Sequence, residues 1–314
     1  MTQSLRYKTF DDTTPVVVSI CTIAYNQHAF IEECLEGFLD QECDFRVEIV
    51  IHDDASSDGT SDIINNYAAR YPTIIRTIMQ DENQYSKGVN PYYAYVFPAA
   101  RGTYIAICDG DDFWSDPVKL TRQVAVLDAE PEAAITYGSV RAVNEKGEDV
   151  SHKGGACRNL SPEELKAGTP LNTLTVCFRN IFRDAPLPVF LRNSPIGDLT
   201  VWGMLGYHGG GRFIADMPPA KYRIHDGGIL SLLVPRKQHF MTAIAQMTLA
   251  AYHTEKGDIL AGQQSLKIAL KNINNTKMVY FEETDIDGMS VRNRLRIWNR
   301  RRKLRRSKNK GSVS

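Results

Sequence analysis

Long apolar runs are absent. No stretch of the 314 residues approaches the roughly 18 apolar residues needed to cross a bilayer, and the N-terminus has no signal-peptide pattern. Paired cysteines are absent too. Cys21, Cys34, Cys43, Cys108, Cys157 and Cys177 form no C-x-x-C, and three of them lie in apolar runs. This excludes a recognisable zinc or dithiol framework and reads as reduced, mostly buried thiols, which fits the cytoplasm. No repeat recurs at a fixed period, so a solenoid is excluded. Net charge is zero, yet acid is missing from one end: residues 289–314 hold eleven Lys or Arg and no Asp or Glu. The first 288 residues carry 26 basic and 37 acidic side chains, a net of −11. A basic tail on an acidic body points to an anionic partner for the tail.

What is present is an ordinary globular composition, 43% hydrophobic and 24% charged, in a chain long enough for one large domain with an appendage. Thr103 to Cys108 is a short run of mostly β-branched, aromatic or small apolar residues, the pattern of a strand covered on both faces. It runs straight into Asp109, Asp111 and Asp112, with Gly110 among them. Carboxylates so close repel one another, and partial burial raises their pKa values. A solvated acidic turn is one reading. The other is a site for a divalent cation, which prefers oxygen ligands, and the buried strand before it and Phe113 and Trp114 after it favour that.

Upstream, Val16 to Ile23 is another strand of the buried type, ending in Ala24, Tyr25, Asn26 and Gln27. A helix over about 28–41 follows, with Phe30, Cys34 and Phe38 on one face. A strand over 47–52 leads into the turn from Asp53 to Thr60. A helix over 60–70, a strand over 74–79 and a helix over 91–100 complete this half. Alternation at this spacing gives right-handed βαβ units and a parallel sheet, whose strand ends share the edge where open α/β sheets bind ligands. Asp54 to Gly59 looks like the start of a helix-loop-helix calcium loop, but its twelfth position is Asn65 and a strand precedes it. Asx-type capping by Ser57, Asp58 and Thr60 suits the turn, and does not need both Asp53 and Asp54.

Val18-Ser19-Ile20 through Tyr25-Asn26, Asp53 through Thr60, and Gly102-Thr103-Tyr104-Ile105 through Trp114 resemble, in that order, the family 2 inverting glycosyltransferases of GT-A fold, of the type that builds bacterial polysaccharides and O-antigens. The resemblance is strong over 15–140 and weaker to 235. It implies a doubly wound, mostly parallel α/β sheet with flanking helices, and transfer of a sugar from a UDP- or dTDP-linked donor. Tyr25, Asn26, Asp53 and Asp54 match the positions that hold base and ribose. Asp109 and Asp111 match the D-x-D segment, Asp111 as direct ligand of Mn²⁺ or Mg²⁺ and Asp109 nearer the sugar or ribose. Ile23-Ala24 departs from the Pro-Thr or Thr-Ser of many members, which leaves the base contacts open.

In the second half, Asp116 reads as the cap and Pro117 as the first position of a helix to about 129. Residues 133–140 read as a strand, 144–148 as a hairpin tip, 151–160 as a polar loop and 171–178 as a strand, with a capping box at Ser161 to Glu164. Asp198, at the head of a helix striped by Leu199, Trp202 and Leu205, suits a cap or a catalytic base. The resemblance implies the base, which takes the proton of the acceptor hydroxyl. Short strands over 211–217 and 220–224 end at Arg223, Ile224 and His225. A lone histidine is more often structural, but the resemblance implies that His225 completes the metal shell and that Arg223 pairs with the diphosphate. Gly227 and Gly228 would let the loop close over the donor.

Helical patterns over 236–255 and 258–273 form a hairpin suited to packing or to an oligomer contact. Val291, Leu295 and Trp298 share one face of an Arg-rich segment. This is either a solvated tail or, over 291–310, a basic amphipathic helix on an anionic membrane, which would hold the protein at the inner face of the plasma membrane. Nucleic acid is not expected as a partner, for want of stacking aromatics. The expected division is a loose lead-in (1–14), a catalytic domain (15–235, a nucleotide-sugar half to 115 and an acceptor half from 116), a helical appendage (236–288) and the basic tail (289–314). The expected acceptor is a glycan or lipid-linked hydroxyl. A sugar-nucleotide nucleotidyltransferase is the rival enzyme, but it would carry a Gly-rich basic loop where Ala24 to Gln27 stand. A haloacid-type phosphatase would need its D-x-D at the first strand, and a non-catalytic nucleotide-sugar-binding protein would not need the full set of acids.

Overall fold

The computed structural model describes residues 3–152, 154–183, 187–228 and 234–283. The basic tail, with Val291, Leu295 and Trp298, lies outside them. The chain opens with β1 (Gln3–Ser4), β2 (Val16–Ala24), α1 (Ile31–Leu39), β3 (Glu42–Cys43), β4 (Arg46–Asp53), α2 (Thr60–Arg70) and β5 (Ile75–Met79). A π-helical turn, Tyr92–Val96, runs into α3 (Phe97–Ala99) and then β6 (Tyr104–Ile107). The second half holds α4 (Lys119–Ala129), β7 (Ala133–Tyr137), β8 (Val140–Val143), α5 (Pro162–Lys166), β9 (Cys177–Arg179) and α6 (Gly197–Leu205). It ends with β10 (Gly210–Phe213), β11 (Ala220–Arg223), α7 (Pro235–Glu255) and α8 (Ile259–Glu283).

Seven strands form one sheet in the order β10-β7-β9-β6-β2-β4-β5. Only β9 runs antiparallel to its neighbours, so the sheet is mostly parallel as expected. The apolar residues of β2, β4 and β6 serve two cores, one on each face, because helices cover both sides. The chain steps from β2 outward to β4 and β5, then returns to place β6 on the other side of β2. That reversal opens a crevice at the strand C-termini. A separate parallel pair, β8 with β11, carries the end of β11 past the turn that follows β6, and Phe113 and Lys221 exchange backbone hydrogen bonds there (3.2 and 2.9 Å).

Several expectations change. The lead-in is not loose: Leu5 is fully buried, its N–H reaches Gln41 O at 2.9 Å, and Arg6 pairs with Glu36 and Asp40. Asp116 does not cap α4 directly. It caps the turn before it, accepting Val118 N–H at 3.1 Å, and the helix starts at Lys119. The strand read over 171–178 is a 3₁₀ turn, Thr173–Thr175, followed by the short β9. Five of the six cysteines are buried and all six are free thiols; Cys157 is exposed.

Candidate active site

Since β2, β4 and β6 are neighbours, the turns after them meet. Asp54 N–H donates to Ala24 O at 2.9 Å and Gly110 N–H to Ile23 O at 3.0 Å. Asn26, in the left-handed region at φ 51°, donates its N–H to Ser56 Oγ (2.9 Å) and accepts Ser57 N–H at Oδ1 (2.8 Å). Asp58 accepts His28 N–H at 3.0 Å and the Thr60 hydroxyl at 2.6 Å. Tyr25 stands at this rim with 47% of its surface exposed.

Asp53 and Asp54 are both buried, and each has its own structural work. Asp53 accepts the hydroxyls of Ser56 and Ser61, the latter at 2.6 Å, and so builds the entry to α2. Asp54 accepts the N–H groups of Gln84 (2.8 Å) and Tyr85 (3.0 Å), tying a second loop to the same rim. Of the two, only Asp53 bonds into the entry to α2, and Asp54 holds a different loop.

The turn after β6 has no room for a side chain at its centre. A Cβ on Gly110 would lie 2.4 Å from Gln27 Oε1 and 2.8 Å from Ile31 Cδ1. Asp109 accepts the Tyr92 hydroxyl at 2.6 Å. Burial, then the charge of Asp111, pushes the Asp109 carboxyl up to about 7; the Tyr92 bond opposes this and the charge of Asp198 adds to it. Asp111 Oδ2 lies 3.0 Å from His225 Nε2. Asp112, buried, accepts Arg223 N–H at 2.7 Å, and burial followed by the charge of Asp111 pushes its carboxyl well above the usual range.

Arg223 corrects its expected role. Its side chain is buried rather than offered to a diphosphate. Nη1 donates to Asp111 O at 2.8 Å, Nη2 pairs with Glu33, and the guanidinium lies 4.6 Å from the Phe30 ring centre and 5.1 Å from that of Phe113. Through these contacts Arg223 braces the acidic turn, and its Nε is buried without a hydrogen-bond partner.

Asp198 lies in the first turn of α6, inside the N-cap Ile196, so it is not the cap residue. Oδ1 accepts Leu199 N–H at 2.7 Å and Oδ2 accepts the Thr173 hydroxyl at 2.8 Å. Burial pushes the carboxyl up against the pull of those two bonds. The π-helical turn spans the two halves. Tyr92 holds Asp109, while the Tyr93 hydroxyl reaches Gly197 O (3.1 Å) and Thr200 Oγ1 (2.6 Å) on α6. Such turns recur at functional sites. Tyr92, Tyr93, Thr173 and Glu33 went unseen in the sequence, because each matters only through a distant partner.

Among the described residues, no three His, Cys, Asp or Glu side chains gather into a closed metal cage. The donor chemistry still suits a divalent ion completed by phosphate oxygens. Asp111 and His225 offer an oxygen and a nitrogen 3.0 Å apart, beside the buried Asp109 carboxyl, whose hydrogen-bond partner Tyr92 is uncharged. Gln27 Oε1, buried without a hydrogen-bond partner, lies against the same turn.

The profile of the family described as "Glycosyl transferase family 2" matches residues 19–187, more than half of the chain. The chain belongs to glycosyl transferase family 2. An uncharacterised protein of Mycobacterium tuberculosis is 40% identical over 218 residues, covering 68% of this chain and 60% of that protein, so the chain spans about 60% of this relative's length. The UDP-Glc:alpha-D-GlcNAc-diphosphoundecaprenol beta-1,3-glucosyltransferase of Escherichia coli is 34% identical over 114 residues, 36% of this chain and 42% of that one. Among solved structures, Staphylococcus aureus TarS in complex with UDP-GlcNAc is similar with a TM-score of 0.59 at 16% identity, over 87% of this chain and 77% of that chain, a likeness of fold. The family 2 match includes the turns after β2, β4 and β6. It stops before Asp198, Arg223 and His225, whose positions rest on the geometry above.

Proposed function

We propose that the protein is an inverting glycosyltransferase that moves a sugar from a UDP- or dTDP-sugar to a hydroxyl of a glycan or lipid-linked acceptor, in the synthesis of a cell-surface polysaccharide. The observation that carries this reading is that adjacent tyrosines tie the two acidic regions together: Tyr92 holds Asp109, beside Asp111 and His225, while Tyr93 holds Gly197 and Thr200, which flank Asp198 on α6. Family membership and the donors of similar proteins support it: UDP-glucose for the E. coli enzyme and UDP-GlcNAc bound to TarS.

In this reading Tyr25, Asn26 and the turns built by Asp53 and Asp54 hold base and ribose. Asp109 faces the ribose or sugar. Asp198 takes the acceptor hydroxyl's proton as its oxygen bonds to the anomeric carbon, and the bond to the diphosphate breaks on the opposite face, so configuration inverts. General-base action contributes about 10²–10⁴-fold. Mn²⁺ or Mg²⁺ held by Asp111 and His225, with Asp109 beside them, would offset the charge on the departing diphosphate. Arg223 acts indirectly, by fixing the Asp111 carbonyl. A lipid-linked acceptor would be met at the inner face of the plasma membrane.

The test is incubation with a panel of sugar nucleotides, with and without Mn²⁺. Sugar transfer, or slow hydrolysis releasing a nucleoside diphosphate, supports the proposal. Pyrophosphate release would indicate a nucleotidyltransferase, and binding without turnover of any donor a non-catalytic protein.

A further inference from the structure

Helices α7 and α8 form an antiparallel pair with a narrow seam. A Cβ on Gly262 would lie 3.5 Å from Ala250 O, Ser265 and Ala269 are buried, and His239 Nδ1 and Asn272 Oδ1 are 2.8 Å apart. A second side of α7 seats on the catalytic domain. Gln246 Nε2 donates to Ala167 O at 3.1 Å, His253 Nε2 lies 3.0 Å from Lys166 O, and Leu249 fills the space above Gly203 of α6.

The remaining side is apolar, and no described residue covers it. Phe240 and Met247 stand exposed on α7 at i and i+7, with Ile244 between them; Ile259, Leu266 and Leu270 stand exposed on α8 at i, i+7 and i+11. Phe240 is 58% and Leu270 60% exposed. At 3.6 residues per turn each stripe lies roughly a quarter-turn from the seam. Because the helices are antiparallel, both stripes fall on the same side of the pair.

Charge separates the candidate occupants. Residues 234–314 hold 17 Lys or Arg against 6 Asp or Glu, a net of +11, while residues 1–233 carry −11. Lys237, Lys256, Lys267 and Lys271 are exposed on the hairpin itself. Two copies meeting through this face would bring like charges together, which disfavours self-association. A nucleic acid would answer the charge and leave the apolar stripes unused. We propose that the α7–α8 hairpin lays its Phe240–Met247 and Ile259–Leu270 stripes on an anionic lipid bilayer, its exposed lysines drawn to the headgroups. The inference is independent of the acceptor, since it uses no residue of the candidate active site.

The full-length protein is co-sedimented with phosphatidylcholine vesicles with and without about 30% phosphatidylglycerol, where basic segments gain attraction. Pelleting is expected on the anionic vesicles only. The double variant Leu266→Glu/Leu270→Glu and, independently, Phe240→Ser are expected to lose binding by about tenfold or more with unchanged circular-dichroism melts, as removal of buried apolar contact requires. Lys267→Gln/Lys271→Gln weakens binding less. Equal pelleting of wild type and the apolar variants overturns the proposal. So does a wild-type dimer by light scattering that the same variants render monomeric, with no vesicle binding.

Discussion

The Thr173 hydroxyl donates to Asp198 Oδ2 at 2.8 Å, joining the 3₁₀ turn before β9 to the first turn of α6. Burial raises the Asp198 carboxyl and this bond lowers it. The proposed base must be deprotonated, so transfer is expected to fall as pH drops through its pKa, and burial moves that acid limb upward from the usual aspartate value. Thr173→Val removes a lowering influence, so the limb in kcat/KM moves to higher pH, while Thr173→Ser restores it. A Thr173→Val enzyme with an unmoved profile and only reduced stability would make Thr173 a packing residue.

Asp198→Asn keeps the size and one acceptor oxygen, able to hold Leu199 N–H, while removing the proposed base. Turnover is expected to fall about 10²–10⁴-fold, with calorimetric affinity for UDP nearly unchanged. Collapse of UDP affinity together with activity would make Asp198 a binding residue.

Asp111→Ala should abolish the dependence of UDP binding on Mn²⁺. His225 then retains its place beside Phe30, where the rings lie 4.7 Å apart, but one ligand cannot hold the ion alone. Calorimetric titration of UDP with and without Mn²⁺ decides this, and an unchanged difference between the two titrations refutes the assignment.

Legibility in the sequence followed how local each cause was. The helix read at roughly 60–70 is α2, because Ile64 and Tyr67 repeat at its period and the Asp58 turn announces its start. The capping box of Ser161 and Glu164 is likewise a matter of four residues. Residues 91–100 gave a helical pattern, but not the π-helical turn. Its shape answers to Tyr92 meeting Asp109 and Tyr93 meeting Thr200, 17 and 107 residues away. Arg223 shows the same limit. An arginine near an acidic motif invites a phosphate, and nothing nearby in the chain tells that Glu33, 190 residues earlier, takes its second nitrogen.

Glu48, buried in β4, accepts Ser19 Oγ and Arg101 N–H, both at 2.7 Å, and Arg101 Nε at 2.8 Å. Burial works against its charge, but these bonds outweigh it and hold the carboxyl below its usual value. A depressed folded-state pKa contributes stability above the unfolded value and loses it as pH falls through the folded one. Glu48→Ala is expected to cost about 3 kcal/mol at neutral pH, as for breaking a buried charged network. Urea unfolding should show that difference narrowing in acid. A difference constant with pH would mean that packing, not charge, is what Glu48 supplies.

Two helical glycines should answer the same substitution with opposite signs. Alanine gains up to about 1 kcal/mol over glycine inside a helix. At Gly262 the new Cβ meets its nearest neighbour at 3.4 Å, ordinary contact, so Gly262→Ala should be neutral or stabilising. At Gly37 it would lie 2.8 Å from Trp114 O, a backbone atom held in place by the Trp114 Nε1 bond to Leu174 O at 2.7 Å. Overpacking costs about 1–3 kcal/mol, which exceeds the helical gain, so Gly37→Ala should lower the melting temperature. Because Trp114 follows directly on the acidic turn, the same variant should also weaken Mn²⁺-dependent UDP binding. Thermal melts of the two variants side by side, with calorimetry on Gly37→Ala, check both statements. A stabilised Gly37→Ala would mean that α1 has slack against the turn, and that the close approach of Gly37 is not what fixes the position of Asp109 and Asp111.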